Sequence, residues 1–233
     1  MNIEMMQTRH SAEVIQRLVE SNPARLLESG DVVLPPARLS FANLAKPGKN
    51  MNDPTKEGKF GANLLFTPGT EAQLQVLANR RLAVLKEAFS ANPTGAGMKN
   101  PIRNQADRVS PAQGGQNAQG KSTPGYVPGC AFIAPTGNRR PQLFTGPIVN
   151  GVPTMFVGDE AAIEKEFYSG CWVIAVINAY ASKNTANPGV FFGLQSILKV
   201  LDDNEFKGAG GVDPRAAFGG VQIDSGVSPT SLF

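Results

Sequence analysis

The sequence predicts a mainly β protein, a small closed or partly open barrel that carries one long helix. Five or six short runs of alternating apolar residues follow one another, separated by turns that use many of the 25 glycines and 18 prolines. These runs do not alternate with helices as they would in a parallel sheet, and the single long amphipathic segment follows the second strand of the body. The pattern favours an OB-fold-like five-stranded Greek-key barrel, and a β-sandwich is the alternative.

Changes in composition divide the chain into three parts. Residues 1–30 predict a helical arm, in which Ser11 begins a helix and residues 24–28 add a further turn. We expect this arm to dock on the body or on a second subunit. Residues 31–206 form the predicted barrel domain, and residues 207–233 are glycine-rich and aperiodic, which predicts a flexible tail.

The body begins with two alternating segments, residues 38–44 and 59–66, and a helix follows in which Thr70 and Gln73 could form a capping box. Residues 91–128 then form a long basic loop, a length that is typical of functional or disordered segments. The alternation assigns five phenylalanines to the core, namely Phe41, Phe60, Phe66, Phe132 and Phe192.

A hairpin near the end of the body is the most informative local pattern. Two β-branched and aromatic runs, residues 168–180 and 189–200, are joined by a polar loop. Alternation places Trp172, Asn178 and Tyr180 on one face of the first strand, opposite an apolar face. A half-polar face with aromatic rings is typical of a base-stacking surface, but it is equally typical of a barrel wall.

The net charge of +3 conceals a strong asymmetry along the chain. Residues 38–140 contain 14 basic against 5 acidic side chains, a local charge of +9. The flanking segments, residues 1–37 and 141–233, carry −2 and −4. A basic body between mildly acidic ends indicates that the middle of the chain meets a polyanion, although a solvated basic face without a partner would have the same composition.

Enzyme and metal chemistry find little support in the sequence. The single histidine, His10, lies in the arm, so no Ser/His or Cys/His pair is expected. Cys130 and Cys171 cannot assemble a zinc site with one histidine, and we interpret them as reduced core residues of a cytosolic protein. No signal peptide or membrane-length apolar run is visible. We therefore expect a non-enzymatic protein without cofactor, metal or membrane association.

Binding of single-stranded nucleic acid requires a basic groove for phosphates and planar side chains for the bases, with little reading of base edges. The basic candidates are Lys59, Lys99, Arg103, Arg139 and Arg140, with Arg38 and Lys183 as lesser ones. The aromatic candidates are Tyr126, Trp172 and Tyr180, and for Trp172 a core position remains the alternative.

A set of short motifs in this order resembles the single-stranded DNA-binding protein family of tailed phages. The motifs are FANL at 41–44, LLF at 64–66, KNPIR at 99–103, GY at 125–126, GC at 129–130, NRRP at 138–141, FYSGCW at 167–172, NAY at 178–180, GVFFGLQ at 189–195 and KV at 199–200. The resemblance covers about residues 38–206 and is specific in its YSGC element at 168–171 and its GVxFGL element at 189–194.

The resemblance implies an OB-fold, distantly similar to the helix-destabilising proteins of coliphages, that binds single-stranded DNA with little sequence preference. It implies a role in phage DNA replication, recombination or repair in the cytoplasm of the infected bacterial host. It further implies that Phe233 docks on a replication or recombination protein or on a neighbouring subunit. Two alternatives remain, a strand-annealing or recombination-mediator protein and a structural or interaction protein that binds no DNA.

Overall fold

A computed structural model describes residues 6–50, 53, 55–108, 123–149 and 151–206, and the predicted tail with Phe233 lies outside them. The described part contains three α-helices and one sheet of eleven strands. In chain order the elements are α1 (Ala12–Ser21), β1 (Arg25–Leu26), β2 (Val32–Val33), β3 (Ala37–Asn43), β4 (Phe60–Leu65), α2 (Glu71–Ala88), β5 (Arg103–Asn104), a 3-10 helix (Gln105–Arg108), β6 (Ala131–Ile133), β7 (Thr136–Gly137), β8 (Gln142–Val149), β9 (Val152–Met155), α3 (Glu160–Glu166), β10 (Trp172–Ser182) and β11 (Gly189–Leu201).

The sheet is mixed, and its main path runs β5-β6-β4-β3-β10-β11-β8-β9. Most neighbours are antiparallel, but β11 pairs with β8 in parallel. The mainly β prediction is confirmed. The five-stranded closed barrel is not confirmed, because no pairing between described strands joins β5 to β9 and closes the path.

The predicted hairpin is confirmed as β10 and β11, the two longest strands. They pair antiparallel from Trp172 opposite Leu201 to Ser182 opposite Gly189. Val173, Ala175 and Ile177 all face the main core, as the alternation predicts. Residues that can reach solvent therefore lie on the opposite face of β10.

The long helix after the second strand of the body is also confirmed, as α2. Leu74, Leu77 and Leu85 are among its buried residues. The capping box is wrong, because the Thr70 hydroxyl donates to the Thr67 carbonyl oxygen at 2.7 Å and does not cap the helix.

The N-terminal arm packs on the body of its own chain. Met6 and Ile15 are buried in a cluster with Val127, Cys130 and Trp172. The helical turn expected at residues 24–28 is wrong, since Arg25–Leu26 forms β1 and pairs with β2. The arm therefore extends the sheet as well as covering one of its faces.

Both cysteines are free and buried, and burial raises the pKa of Cys130 to about 11 and that of Cys171 to about 12. They therefore remain protonated at neutral pH. None of the described helices is long and apolar enough to cross a membrane.

Candidate nucleic-acid interface

A cavity of about 470 Å³ opens where the outer end of β10 meets the middle of β11 and the turn between β7 and β8. The polar face of the hairpin lines this cavity, together with Lys59, which directly precedes β4. The lining consists of Lys59, Thr136, Gly137, Asn138, Arg139, Asn178, Tyr180, Gly193, Leu194 and Gln195.

A second cavity, of about 300 Å³, shares Lys59 and Thr136 with the first. Its other lining residues are Phe41, Asn43, Gly61, Ala62, Asn63, Arg108 and Ala134. Because two residues belong to both linings, the cavities adjoin, and we refer to the two together as the groove. It crosses β3, β4 and β7 and reaches the β10–β11 hairpin.

The charged side chains that line the groove are all basic. Lys59, Arg108 and Arg139 line it, and neither lining contains an aspartate or glutamate. None of these three cations forms an ion pair with a residue that the structure describes. Cations that no described carboxylate neutralises favour a polyanionic ligand.

Phe41 lies at the surface, contrary to the prediction from alternation. It was assigned to the core, yet 57% of its surface is exposed and it lines the groove. The β3–β4 pairing shifts register between Ser40 and Asn43, and Phe41 has a φ of 47°. Such a bulge redirects a side chain that simple alternation would turn inward. In the sequence, only the small side chains of its neighbours Ser40 and Ala42 and the polar Asn43 distinguish this phenylalanine.

Tyr180 stands at the other end of the groove. It is 38% exposed, and its ring lies beside Phe191 at 6.2 Å between centroids with a 31° tilt. Burial raises the pKa of its phenol, so the ring is uncharged at neutral pH. The groove therefore presents one accessible aromatic ring near each end.

Trp172 cannot act as a stacking platform, which corrects its place among the candidates. Its exposed fraction is 0%, and its indole Nε1 donates to Asp203 Oδ2 at 2.7 Å. Arg38, the lesser basic candidate, is buried beside it and pairs with the same Asp203 oxygen at 3.1 Å. Trp172 does lie on the predicted face of β10, but the N-terminal arm covers that end of the face.

Tyr126 is likewise buried, which corrects its assignment. Its ring packs edge-on against Phe132 at 5.8 Å, and its hydroxyl accepts a hydrogen bond from Asn63 Nδ2 at 2.7 Å. Burial raises the pKa of this phenol as well. Tyr126 supports the groove from beneath, because Asn63 is one of the lining residues.

The other basic candidates are not among the residues that line the groove. Arg140 follows Arg139 and donates to the carbonyl oxygen of Ala45. Lys99 and Lys183 are exposed, and the backbone near Lys99 approaches Gly189 at the tip of the hairpin. The Arg103 guanidinium lies 4.7 Å from the Phe132 ring centre, and its Nε lies 3.7 Å from an Asp107 carboxylate oxygen.

Sequence reasoning therefore found Lys59, Arg139 and Tyr180 of the groove and missed Phe41 and Arg108. Arg108 ends the 3-10 helix, and its guanidinium lies 5.9 Å from the Phe132 ring centre. A helix of four residues is too short to show a periodic pattern in the sequence, so periodicity does not indicate Arg108. Among the described residues no group of three or more His, Cys, Asp or Glu could hold a metal ion.

An open mixed sheet with a basic, aromatic-lined groove is typical of the class of proteins that bind single-stranded nucleic acid. The family model described as the ssDNA-binding protein of Enterobacter phage Enc34 matches residues 30–227. The chain belongs to this phage single-stranded DNA-binding protein family. The comparison with curated proteins finds no match.

Solved structures of the Enc34 protein are similar to this chain in fold. The single-stranded DNA-binding protein of bacteriophage Enc34 in complex with ssDNA has 22% identity and a TM-score of 0.61, over 80% of this chain and 94% of that one. A C-terminal truncation of the same phage protein has 21% identity and a TM-score of 0.59, over 79% and 94%. The gp2.5 protein of bacteriophage T7, a single-stranded DNA-binding protein, has 14% identity and a TM-score of 0.46, over 85% and 98%.

Proposed function

We propose that this protein binds single-stranded DNA in the groove, with phosphates on Lys59, Arg108 and Arg139 and bases stacked on Phe41 and Tyr180. The observation that carries the proposal is the combination of two accessible rings with three cations in a groove without acidic lining residues. Every base has a π-face, so stacking tolerates sequence, and each stacked base contributes about 1–3 kcal/mol.

We further propose that it acts in phage DNA replication, recombination or repair, in the cytoplasm of the infected bacterium. Membership of a phage single-stranded DNA-binding protein family motivates the proposed role. That role requires no catalytic step of the protein itself, since covering and ordering a strand suffices. The groove would then correspond to the binding face of an OB-like barrel. The strands that form it are β3, β4, β10 and β11.

A titration of a labelled oligo(dT) by fluorescence anisotropy, at several salt concentrations, tests the proposal. If three or four phosphates are neutralised, the log–log slope of affinity against salt should be about −2 to −3. A matched duplex should bind much more weakly, because its bases are not available for stacking. Equal affinity for the duplex, or a flat salt response, would refute single-strand binding.

Two charge variants locate the site on the protein. The double change Lys59→Ala with Arg139→Ala should make the salt slope shallower by about 1 to 1.5, since two phosphate contacts are lost. Lys165→Ala is the matched control, because Lys165 is exposed on α3 and is not among the residues that line the groove. If the control and the double variant behave alike, the DNA binds elsewhere.

A further inference from the structure

The polar face of the β10–β11 hairpin continues past the groove toward the tip of the hairpin. Residues directly opposite each other in an antiparallel pair share a face, so successive rows of this face can be followed outward. The rows are Asn178 with Gly193, Tyr180 with Phe191 and Ser182 with Gly189. The first row and Tyr180 line the larger cavity, whereas Phe191 and the outermost row do not. The face therefore extends beyond the groove on the Tyr180 side.

Two lysines lie at the outer end of this face. The position that a Cβ atom would take at Gly189 lies 3.9 Å from Phe191 Cε2 and 4.0 Å from the carbonyl oxygen of Lys99. Lys183 directly follows Ser182, the last residue of β10. Both lysines are exposed. The rings of the middle row are thus followed outward by two cations.

The surroundings of these two lysines leave their charges uncompensated. Residues 88–106 and 167–201, which carry them, contain no aspartate or glutamate. Neither lysine forms an ion pair with a residue in the described part of the chain. The positive potential of the groove therefore continues onto the hairpin tip, where it favours the same polyanion.

The opposite end of the groove differs in this respect. The loop between β3 and β4 adjoins the groove there, and two of its lysines are paired with carboxylates. Lys46 lies 3.5 Å from Glu164, and Lys56 lies 3.0 Å from Asp53. A strand that leaves the groove consequently meets unpaired cations on the Tyr180 side.

Resting on the proposed binding of single-stranded DNA in the groove, we propose that Lys99 and Lys183 form a second phosphate-binding surface. The strand leaves the groove at Tyr180, passes the Phe191 row and places backbone phosphates on these two lysines. The complete site is then longer than the groove, and its outer part holds the sugar–phosphate backbone without reading bases.

The test measures binding of oligo(dT) of increasing length by anisotropy, from about 4 to 16 nucleotides, the range of single-strand sites on comparable folds. On the shortest oligonucleotide that binds, Lys99→Ala with Lys183→Ala should stay within about twofold of wild type, because the groove is intact. On the longer ones its affinity should fall about three- to tenfold. The salt slope there should become shallower by about 1 to 1.5, since two phosphate contacts are lost.

The matched control is Arg17→Ala with Lys165→Ala, which removes the same charge from α1 and α3. Both residues are exposed, and neither lines the groove or belongs to the hairpin. The ratio of its affinity to that of wild type should not change with the length of the DNA. Thermal unfolding of both double variants shows that the proteins remain folded during the binding experiments.

Uncharged methylphosphonate linkages locate the contact on the DNA. Two oligonucleotides, just long enough for the full effect, carry these linkages at opposite ends. Because a strand passes through the groove in one direction, only one of its ends lies at the hairpin tip. The variant of Lys99 and Lys183 should bind one of these oligonucleotides like wild type and lose affinity for the other.

The outcomes separate the two proposals. An equal loss on short and long oligo(dT), or on both end-modified oligonucleotides, would mean that the lysines attract DNA without holding a defined part of it. No loss at any length would mean that the strand does not reach them. Each of these results overturns the inference while wild-type binding stands. Absence of any single-strand binding by the wild-type protein would instead refute the proposed function and this inference with it.

Discussion

At the scale of single residues, Phe41 combines two features that are unfavourable for stability. A φ of 47° is rare for a residue other than glycine, and strain of this kind costs on the order of 1–3 kcal/mol. The same ring exposes 57% of its surface to water. Strained residues of this kind concentrate at ligand-binding sites, and Phe41 lines the groove in which we propose that DNA binds.

Removing either accessible ring should weaken binding without weakening the fold. Phe41→Gly and Tyr180→Ala are each expected to cost about 1–3 kcal/mol of single-strand affinity, measured by anisotropy. Phe41→Gly should not lower the melting temperature, because glycine adopts positive φ without strain. A lowered melting temperature with unchanged affinity would show that Phe41 stabilises the fold and does not stack on a base.

Trp172→Phe is the matched control for these ring variants. It lies on the same face of β10 as Tyr180 but is buried under the arm and bonded to Asp203. Loss of its indole N–H should lower the melting temperature and leave the affinity of the folded protein unchanged. A large affinity loss in a folded Trp172→Phe protein would contradict the placement of this ring.

At the scale of elements, the hairpin shows where sequence periodicity succeeds and where it ends. Alternation assigned both faces of β10 correctly, because a pleated strand has a fixed period of two. It could not show that residues 6–21 cover one end of the polar face, so Trp172 and Tyr180 received the same role. Coverage depends on contacts between distant segments, which a local pattern does not encode.

The buried pair of Arg38 and Asp203 connects the arm, β3, β10 and the segment after β11. Asp203 accepts hydrogen bonds from Thr8 Oγ1, Arg9 N and Trp172 Nε1. Burial by itself would raise the pKa of Asp203, but these bonds and the Arg38 charge outweigh it and lower the pKa. Desolvation lowers the pKa of Arg38 to about 10, so the guanidinium is charged at neutral pH.

Asp203→Asn should destabilise the protein strongly, since it leaves a buried guanidinium without its counter-charge. The expected loss is about 3–5 kcal/mol in the free energy of unfolding, measured by urea denaturation. Asp202→Asn is the matched control, because the neighbouring carboxylate is exposed and pairs with Lys199, which predicts less than about 1 kcal/mol. Similar losses in both variants would contradict the role of the buried pair.

The lowered pKa of Asp203 also gives stability a pH dependence. The folded pKa lies below the unfolded one, so the carboxylate contributes its stabilisation in full above the ordinary value of 3.8. That contribution is lost as the pH falls through the folded pKa. In the Asp203→Asn protein the decline of stability in this acidic range should therefore be smaller.

At the scale of the whole molecule, the excess positive charge of residues 38–140 correctly indicated the part of the chain that supplies the groove cations. The groove itself is assembled from β3, β4, the 3-10 helix, the β7–β8 turn and the hairpin. Several of these segments lie side by side because β4 pairs with both β3 and β7. Strand order and barrel closure are properties of such long-range pairings, which is why composition predicted the class of fold and not its topology.

The boundary between the body and the C-terminal segment gives the last prediction, which compares two truncations. Phe206 is buried with its ring centre 4.4 Å from the Arg38 guanidinium, and its N–H donates to Ser169 O at 2.8 Å. Deleting residues 202–233 would remove both Asp203 and Phe206, so we expect a large fall in melting temperature.

Deleting only residues 207–233 leaves those contacts in place and should preserve the fold. This segment contains Lys207 and Arg215 against Asp213 and Asp224, so its side chains carry no net charge and compete weakly for a basic groove. We therefore expect the affinity for oligo(dT), measured by anisotropy, to change by less than about threefold, which is under about 1 kcal/mol. A tenfold gain in affinity would show that residues 207–233 occupy the groove by contacts other than net charge, with Phe233 as the first side chain to substitute.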